Sequence, residues 1–331
     1  LFFEHQPGQG GKPARVRRKE NRFPPAEPGK DVGKMLNHWR QLVWRLRQKA
    51  AREVGSPLDF WRVGLGLWRG LHGTDCKEIQ LSVVTVVRNR CGIRERNCLR
   101  SLMRQTLPRN CYEVLVMDYG SAEPEKIAAL VRGVDKGIRY SFVEAPGAFN
   151  LPKAKNVGAG LARGEKILFT NFDDVFQANA LEAVLLALRG QQKLFVEIRR
   201  LDFPEERVEG TDLVNGFEGA CRLPGVNPNP RAGDVQALDK RALMEVLNGF
   251  DEAFEGWGAQ DTDIRMRAVN AGFRCLNLFP LTSILHQNHD SLHALEGRDQ
   301  NYRKNRAWLE AKPLNAVKAN EGKRWDQAGR Q

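Results

Sequence analysis

A chain of 331 residues, 41% hydrophobic and 28% charged, is long enough to bury a sizeable core and has the composition of an ordinary globular protein. No run approaches the roughly 18 consecutive apolar residues of a membrane-crossing helix, and Leu1-Phe2-Phe3 gives way at once to polar residues, so neither a span nor a cleavable signal is expected. The net charge is +12, and residues 1–75 hold 15 Lys and Arg against 7 Asp and Glu, which points to an anionic partner for that end: a phosphate-rich lipid surface, nucleic acid or an acidic polymer.

In chain order, residues 1–33 are rich in Gly, Pro, Lys and Arg and are expected to lack fixed structure. Met35, Trp39, Leu42, Val43, Leu46 and Ala50 recur at helical spacing, which predicts a helix over 34–50. A second helical piece carries Phe60, Trp61, Val63, Leu65, Leu67, Trp68 and Leu71. Together, residues 34–75 read as an amphipathic extension. Its apolar stripe either lies on an anionic membrane through residues 34–72 or docks on the protein's own core.

From Ile79 onward the pattern alternates. Leu81–Val87 is a β-branched run and predicts a buried strand, followed by a helix face at Ile93, Leu99, Leu102, Met103 and Leu107. Strands are predicted at 114–117, 138–143 and 167–170, with helices through 127–131 and 155–162 between them. Such alternation predicts an α/β fold with a mostly parallel central sheet flanked by helices. Ligands of such sheets sit beyond the carboxyl ends of strands, where Asp118 and Asp173 fall. The second half is less regular: a loop at 223–233, the run 235–239 leading into a helix at 240–247, and a helix from Asp261 to a C-cap at Gly272. The domain reading is a basic arm at 1–33, the extension at 34–75, a globular domain at 76–294 and a helical or flexible tail at 295–331.

The six cysteines form no CxxC pair and no zinc-like spacing, and are read as buried free thiols rather than disulfides. That reading favours a reducing compartment, hence a cytoplasmic protein, peripheral at the inner membrane face if the extension binds lipid. There is no G-x-S-x-G elbow and no P-loop, so serine hydrolysis and nucleotide-triphosphate hydrolysis are not expected.

Three segments carry candidate chemistry. Asn171-Phe172-Asp173-Asp174 closes an apolar strand, and its acids are either ligands of a divalent cation or merely a turn or helix cap. Gly256-Trp257-Gly258-Ala259-Gln260-Asp261-Thr262-Asp263 opens a helix. Asp261 is there either a general base or an N-cap, and Trp257 either a sugar-stacking wall or a core residue. His286 ends a short strand and is either a metal ligand or a structural histidine; for His289 and His293 the surface or structural reading is taken.

With Ser82–Asn89, Val116–Ser121, Lys155–Gly158 with Ala162–Gly164, and Gly249–Glu252 added, these motifs resemble a glycosyltransferase of the GT-A fold, family 2-like, with a C-terminal half similar to the galactosyltransferase and chondroitin-polymerase type. The resemblance covers roughly residues 80–290. It implies that Thr85, Val87, Arg88 and Asp118 hold the nucleotide base and ribose, with Lys155, Asn156, Asn171 and Phe172 beside the nucleotide. Asp173, Asp174 and His286 are implied to carry Mn²⁺ or Mg²⁺, Asp173 matching the last acid of the DxD motif and Asp174 being its alternative. Asp261 is implied to be the base of an inverting transfer, with Trp257, Gly258, Gln260 and Asp263 around the acceptor. Asn171 and Gln260 replace acids of the family pattern, and Tyr119 replaces a frequent second Asp.

The expectation is therefore a metal-dependent transferase moving sugar from a nucleoside-diphosphate sugar, UDP by family frequency, to a glycan or glycolipid hydroxyl. One rival is a catalytically degenerate relative that binds nucleotide sugar or glycan. Another is a nucleic-acid-binding protein, which the basic charge alone suggests and no motif supports.

Overall fold

The computed structural model describes residues 57–69, 76–229, 233–256, 258–289 and 298–322. The predicted arm and the helix at 34–50 lie outside the described residues. All described residues fall within one compact unit.

Leu81–Val87 (β1), Tyr112–Tyr119 (β2), Arg139–Val143 (β3) and Lys166–Asn171 (β4) form the predicted parallel set, in the order β4-β1-β2-β3. Every residue of β1 and β2 is buried, which explains their unbroken apolar sequences: strands covered on both faces need no polar alternation. Beyond β4 the sheet continues with Gln236–Asp239 (β9), Leu194–Glu197 (β6) and Arg274–Asn277 (β10). β9 runs antiparallel to both neighbours, and β6 pairs parallel with β10. The mostly parallel central sheet is thus present, with one reversed strand.

The covering helices are Pro57–Arg69 (α1), Ile93–Leu102 (α2), Pro124–Val134 (α3), Leu151–Leu161 (α4) and Ala180–Leu188 (α5). α4 starts four residues earlier than its apolar spacing predicts. Asn150 caps it by accepting from the Lys153 N–H at 2.9 Å, and Pro152 sits in its first turn, where a missing N–H costs nothing. A short helix at Phe217–Ala220 (α6) follows, and Ala242–Leu247 is a π-helical turn where an ordinary helix is expected. The second half ends with Gln260–Asn270 (α7) and Arg298–Ala311 (α8).

A smaller four-stranded sheet, in the order β5-β11-β7-β8, is built from Asp174–Phe176 (β5), Ile284–Gln287 (β11), Arg200–Phe203 (β7) and Asn227–Pro228 (β8). Its register sets His286 opposite Asp174. This sheet, absent from the predicted strand list apart from the run ending at His286, brings residues 112 positions apart into contact.

Cys76 and Cys111 form a disulfide, with Cα atoms 5.1 Å apart. This corrects the free-thiol expectation for that pair: Cys111 lies just before β2, and the chain entering β1 passes beside it, as the Gln80 N–H to Cys111 carbonyl bond records. The support this expectation lent to a reducing compartment goes with it. Cys91, Cys98, Cys221 and Cys275 are free, and Cys98 and Cys275 are buried as expected.

The tail is part of the body as far as it is described. Asn305 of α8 donates to the Glu255 carbonyl at 2.8 Å and the Gly258 carbonyl at 3.2 Å, and Asn320 donates to the Asn248 and Phe250 carbonyls. No described helix is long and apolar enough to cross a membrane.

Candidate active site

The predicted residues gather at the carboxyl ends of β1 and β4. β4 ends at Asn171, and the chain turns through Phe172 and Asp173 into β5. Asp174 is fully buried; its Oδ2 accepts from Thr170 Oγ1 at 3.1 Å and the Asn171 N–H at 3.3 Å, and its Oδ1 lies 2.9 Å from His286 Nδ1. Its oxygens are thus spent on the turn and on orienting the imidazole. Asp173 is different. Its Oδ2 accepts from Arg90 Nη1 at 2.9 Å and lies 3.1 Å from His289 Nε2, while Oδ1 is buried without a hydrogen-bond partner and lies 3.4 Å from His286 Nδ1.

Ligand atoms of Asp173, His286 and His289 all lie within 4.8 Å of one another. A buried carboxylate with one orphaned oxygen beside His286 and the other beside His289 fits a divalent cation. His289 is the correction here: a lone histidine in a His-rich stretch gives no sequence signal, whereas the strand end at 287 carries it back over Asp173. Burial opposes charging of His286, but the Asp173 and Asp174 carboxylates outweigh it and raise the imidazolium to about 10. Burial likewise opposes ionisation of Asp173, yet His286, His289 and Arg90 hold that carboxyl well below its ordinary range. Burial raises Asp174. Arg90, two residues beyond the predicted Arg88, is the other group missed: it also reaches His289 at 3.2 Å and brings a guanidinium to the acidic cluster.

Asp261 sits in the first turn of α7, where helix N–H groups favour a negative charge. Its backbone carbonyl accepts from Gln236 Nε2 at 3.0 Å, and Gln236 pairs with Phe169 of β4. The start of α7 is therefore pinned over the same sheet end that carries Asn171–Asp174. The link closes through Asp234: its carboxylate accepts from Asn171 Nδ2 at 2.5 Å and from Arg200, and its charge bears on both Asp174 and Asp261. Asp234 is thus within electrostatic reach of an acid from each of the two clusters.

The Asp261 carboxylate pairs with Lys155 Nζ at 3.0 Å. Lys155 itself is almost fully buried and also lies over the Phe250 ring at 4.8 Å, whereas a quarter of the Asp261 side chain is exposed. Burial raises the Asp261 carboxyl, the Lys155 ammonium pulls it down, and Asp234 pushes it up again; the net direction is up. A carboxylate made more basic and still reachable from solvent is suited to accept a proton. Lys155 thus meets the expected base directly, where the resemblance put it beside the nucleotide.

The loop before α7 is held in a left-handed path: Gly256, Gly258 and Ala259 all have positive φ, 64°, 105° and 69°. A Cβ at Gly258 would meet the Tyr302 ring of α8 at 2.6 Å, so this glycine is required both for its φ and for the close approach. Gln260 is buried, and its Oε1 has no partner. Trp257 and His293 lie outside the described residues.

Other predicted residues are spent on structure. Asp263 is fully engaged by Arg267 at 2.7 Å and by Lys312, an i,i+4 pair plus a tail residue, which corrects its placement around the acceptor. Asn156 exchanges bonds with the Phe250 backbone and donates to Glu252 Oε1, so its amide holds the 250–252 turn. Phe172 belongs to the main core. Asp118 accepts from the Ser121 N–H at 3.1 Å and the Tyr140 hydroxyl at 2.7 Å, fixing the turn after β2. Thr85 and Val87 are buried at the end of β1, Thr85 Oγ1 without a partner, and Arg88 donates to the Gly147 carbonyl at 2.9 Å.

Comparison with known proteins agrees with this architecture. Residues 82–217 match Glycosyl transferase family 2, and residues 231–290 match the N-terminal domain of galactosyltransferase. Among curated relatives, the O-antigen biosynthesis protein RfbC of Myxococcus xanthus is 28% identical over 247 residues, 69% of this chain and 18% of its own length. Validoxylamine A glucosyltransferase of Streptomyces hygroscopicus subsp. jinggangensis is 29% identical over 217 residues, 56% of this chain and 50% of its own. The chain thus spans half or less of the length of these relatives.

Two solved structures share the fold. GalNAc-T7 with UDP, GalNAc and Mn²⁺ superposes with a TM-score of 0.53 at 15% identity, over 72% of this chain and 52% of the other. S. aureus TarS 1-349 in complex with UDP-GlcNAc gives 0.52 at 16% identity, over 70% of this chain and 65% of the other. With both family matches in chain order on this two-sheet frame, the chain carries a family 2-like glycosyltransferase domain of GT-A fold over residues 82–217, followed by a galactosyltransferase-type segment over 231–290.

Proposed function

We propose that the protein is an inverting, metal-dependent glycosyltransferase that moves a sugar from a UDP-sugar to a hydroxyl of a glycan or glycolipid. What supports this reading is the Asp173–His286–His289 cluster together with the partly exposed, base-like Asp261. The names of the fold neighbours, with UDP, UDP-GlcNAc, GalNAc and Mn²⁺, support the donor class.

Asp261 takes the proton of the acceptor hydroxyl. The oxygen so freed attacks the anomeric carbon from the face opposite the diphosphate, and the bond between that carbon and the diphosphate oxygen breaks, which inverts the centre. Lys155 holds the Asp261 carboxylate in place and in its ionised form. Thr85, Val87 and Arg88 at the end of β1 line the nucleotide side, and Gly258 and Gln260 the acceptor side. Asp173, His286 and His289 would hold the cation, with Asp174 fixing the His286 ring. When bound, the cation supplies positive charge against the leaving diphosphate. Two imidazoles and one carboxylate favour Mn²⁺ over Mg²⁺, which prefers oxygen ligands. Asp234 brings a carboxylate, itself paired with Arg200, against Asn171, the amide that replaces an acid.

Contact with an anionic membrane belongs to this reading, with α1 as its described part. The test is nucleotide release across UDP-sugars and glycan acceptors with Mn²⁺. Turnover that stops on chelation and returns with Mn²⁺ is expected; chelator-insensitive turnover contradicts the metal role.

A further inference from the structure

α1 has two unlike faces. Inward, Val63 is fully buried, Phe60 and Leu67 rest on the main core, and Arg62 donates to the Leu186 and Ala187 carbonyls of α5. Outward, Leu58, Trp61, Leu65 and Trp68 are 80%, 67%, 50% and 82% exposed. Their spacing of three, four and three residues aligns them in one stripe. Single exposed apolar residues are ordinary, but a stripe of two tryptophans and two leucines marks an interaction surface.

A groove of about 1330 Å³ lies at the end of α5, the helix to which α1 is bonded. Six Lys or Arg and three Asp or Glu line it. Lys166 is paired with Asp239 and Arg241 with Glu245, whereas Arg163, Arg189 and Lys193 are exposed and have no carboxylate partner among the described residues. Groove and α1 are joined through two elements. α5 contributes Leu185 and Arg189 to the groove and the carbonyls that hold Arg62; Arg274 bonds both Asp59 of α1 and Gln191 of the groove. Lys166 begins β4 and Lys193 precedes β6, so the groove lies at the amino ends of those strands, opposite the candidate active site.

We propose that the outward face of α1 and this groove form one docking surface for an anionic membrane, with the Trp and Leu side chains at the headgroup–acyl boundary and Arg163, Arg189 and Lys193 on lipid phosphates. Tryptophan is favoured at that boundary because its ring is apolar with one polar N–H. A basic edge beside an apolar face is the signature of an in-plane interfacial helix. The basic excess of residues 1–75, which lead into α1, adds to the same attraction. The proposal specifies the membrane contact included in the proposed function and is independent of the transfer chemistry.

The test is co-sedimentation of the full chain with phosphatidylglycerol–phosphatidylcholine vesicles and with pure phosphatidylcholine vesicles. Wild type is expected to bind the anionic vesicles at least tenfold better, and less so at high salt. Trp61→Glu/Trp68→Glu and Arg189→Glu/Lys193→Glu are each expected to lose at least tenfold in binding while transfer to a soluble acceptor and the thermal midpoint stay unchanged. Variants that bind like wild type overturn the proposal, as does a wild type that ignores vesicles. So does vesicle binding abolished by soluble polyanion but unaffected by the Trp changes, or a self-association that Trp61→Glu/Trp68→Glu dissolves without vesicle binding. Vesicle binding retained by a protein without transfer activity leaves this surface standing and sinks the enzymatic reading.

Discussion

At Asp261 opposing influences set the proton affinity: burial and Asp234 favour the neutral acid, and Lys155 favours the carboxylate. A base must be ionised to work, so activity should fall as pH drops through a value above that of an ordinary aspartate. Removing the ammonium in Lys155→Met favours the protonated form, and the acid limb of the kcat/KM profile should then move to higher pH. An unmoved limb would mean that Lys155 does not tune this group. The metal cluster makes a second residue-scale prediction. Asp174 touches His286 without offering a free oxygen, so Asp174→Asn should weaken Mn²⁺ binding about 10–100-fold, as loss of an outer-shell partner does. His289→Ala, which removes a ligand, should weaken it further; calorimetric titration of Mn²⁺ into the apo protein reads both. At this scale the sequence pointed to Asp173, Asp261 and His286 through family pattern. It had no means of finding Arg90, His289 and Asp234, whose importance comes from which oxygen or nitrogen they face.

At the scale of elements, α7 is the part whose stability and chemistry are joined. Its first turn presents Asp261, and one turn on Arg267 is buried and donates to Asp263, to the Leu247 and Gly249 carbonyls at 2.9 and 3.0 Å, and to the Val317 carbonyl at 3.3 Å. Loss of the guanidinium leaves the buried Asp263 with Lys312 alone and takes a donor from three carbonyls, so Arg267→Ala should cost about 3–5 kcal/mol. The thermal midpoint should fall by on the order of 10 °C; a change of only a degree or two would show the network to be solvated. The same network explains why Asp263 reads wrongly from sequence. An acid beside a candidate base looks functional until its i,i+4 arginine and the distant Lys312 are seen to claim it. Apolar runs made β1, β2 and β4 legible because buried strands leave an unbroken signature, whereas β5, β7 and β8, of two to four residues, are too short for any periodicity.

At the scale of the molecule, the two ends of the large sheet are divided in use. The carboxyl ends hold acids, imidazoles and the unpartnered Asp173 Oδ1 and Thr85 Oγ1; the amino ends hold the basic groove. The sequence announced the first through motifs at strand ends, and its α/β alternation was enough to place them there. The groove was hidden because its cationic residues come from three separate stretches between 163 and 241, none of them a basic run. The stripe on α1 was visible, but sequence left open whether it meets membrane or core. Its two faces divide the answer: Val63 meets the core, and Trp61 and Trp68 do not.

The central claim is that Asp261 removes the acceptor proton in a site whose cation cluster is separate from it. The most direct measurement is transfer turnover by Asp261→Asn, taken together with its affinity for the UDP-sugar in Mn²⁺. The account predicts a loss in kcat on the order of 10²–10⁴ with donor affinity and fold retained. Turnover within about twofold of wild type, in a protein that binds donor normally, would contradict it.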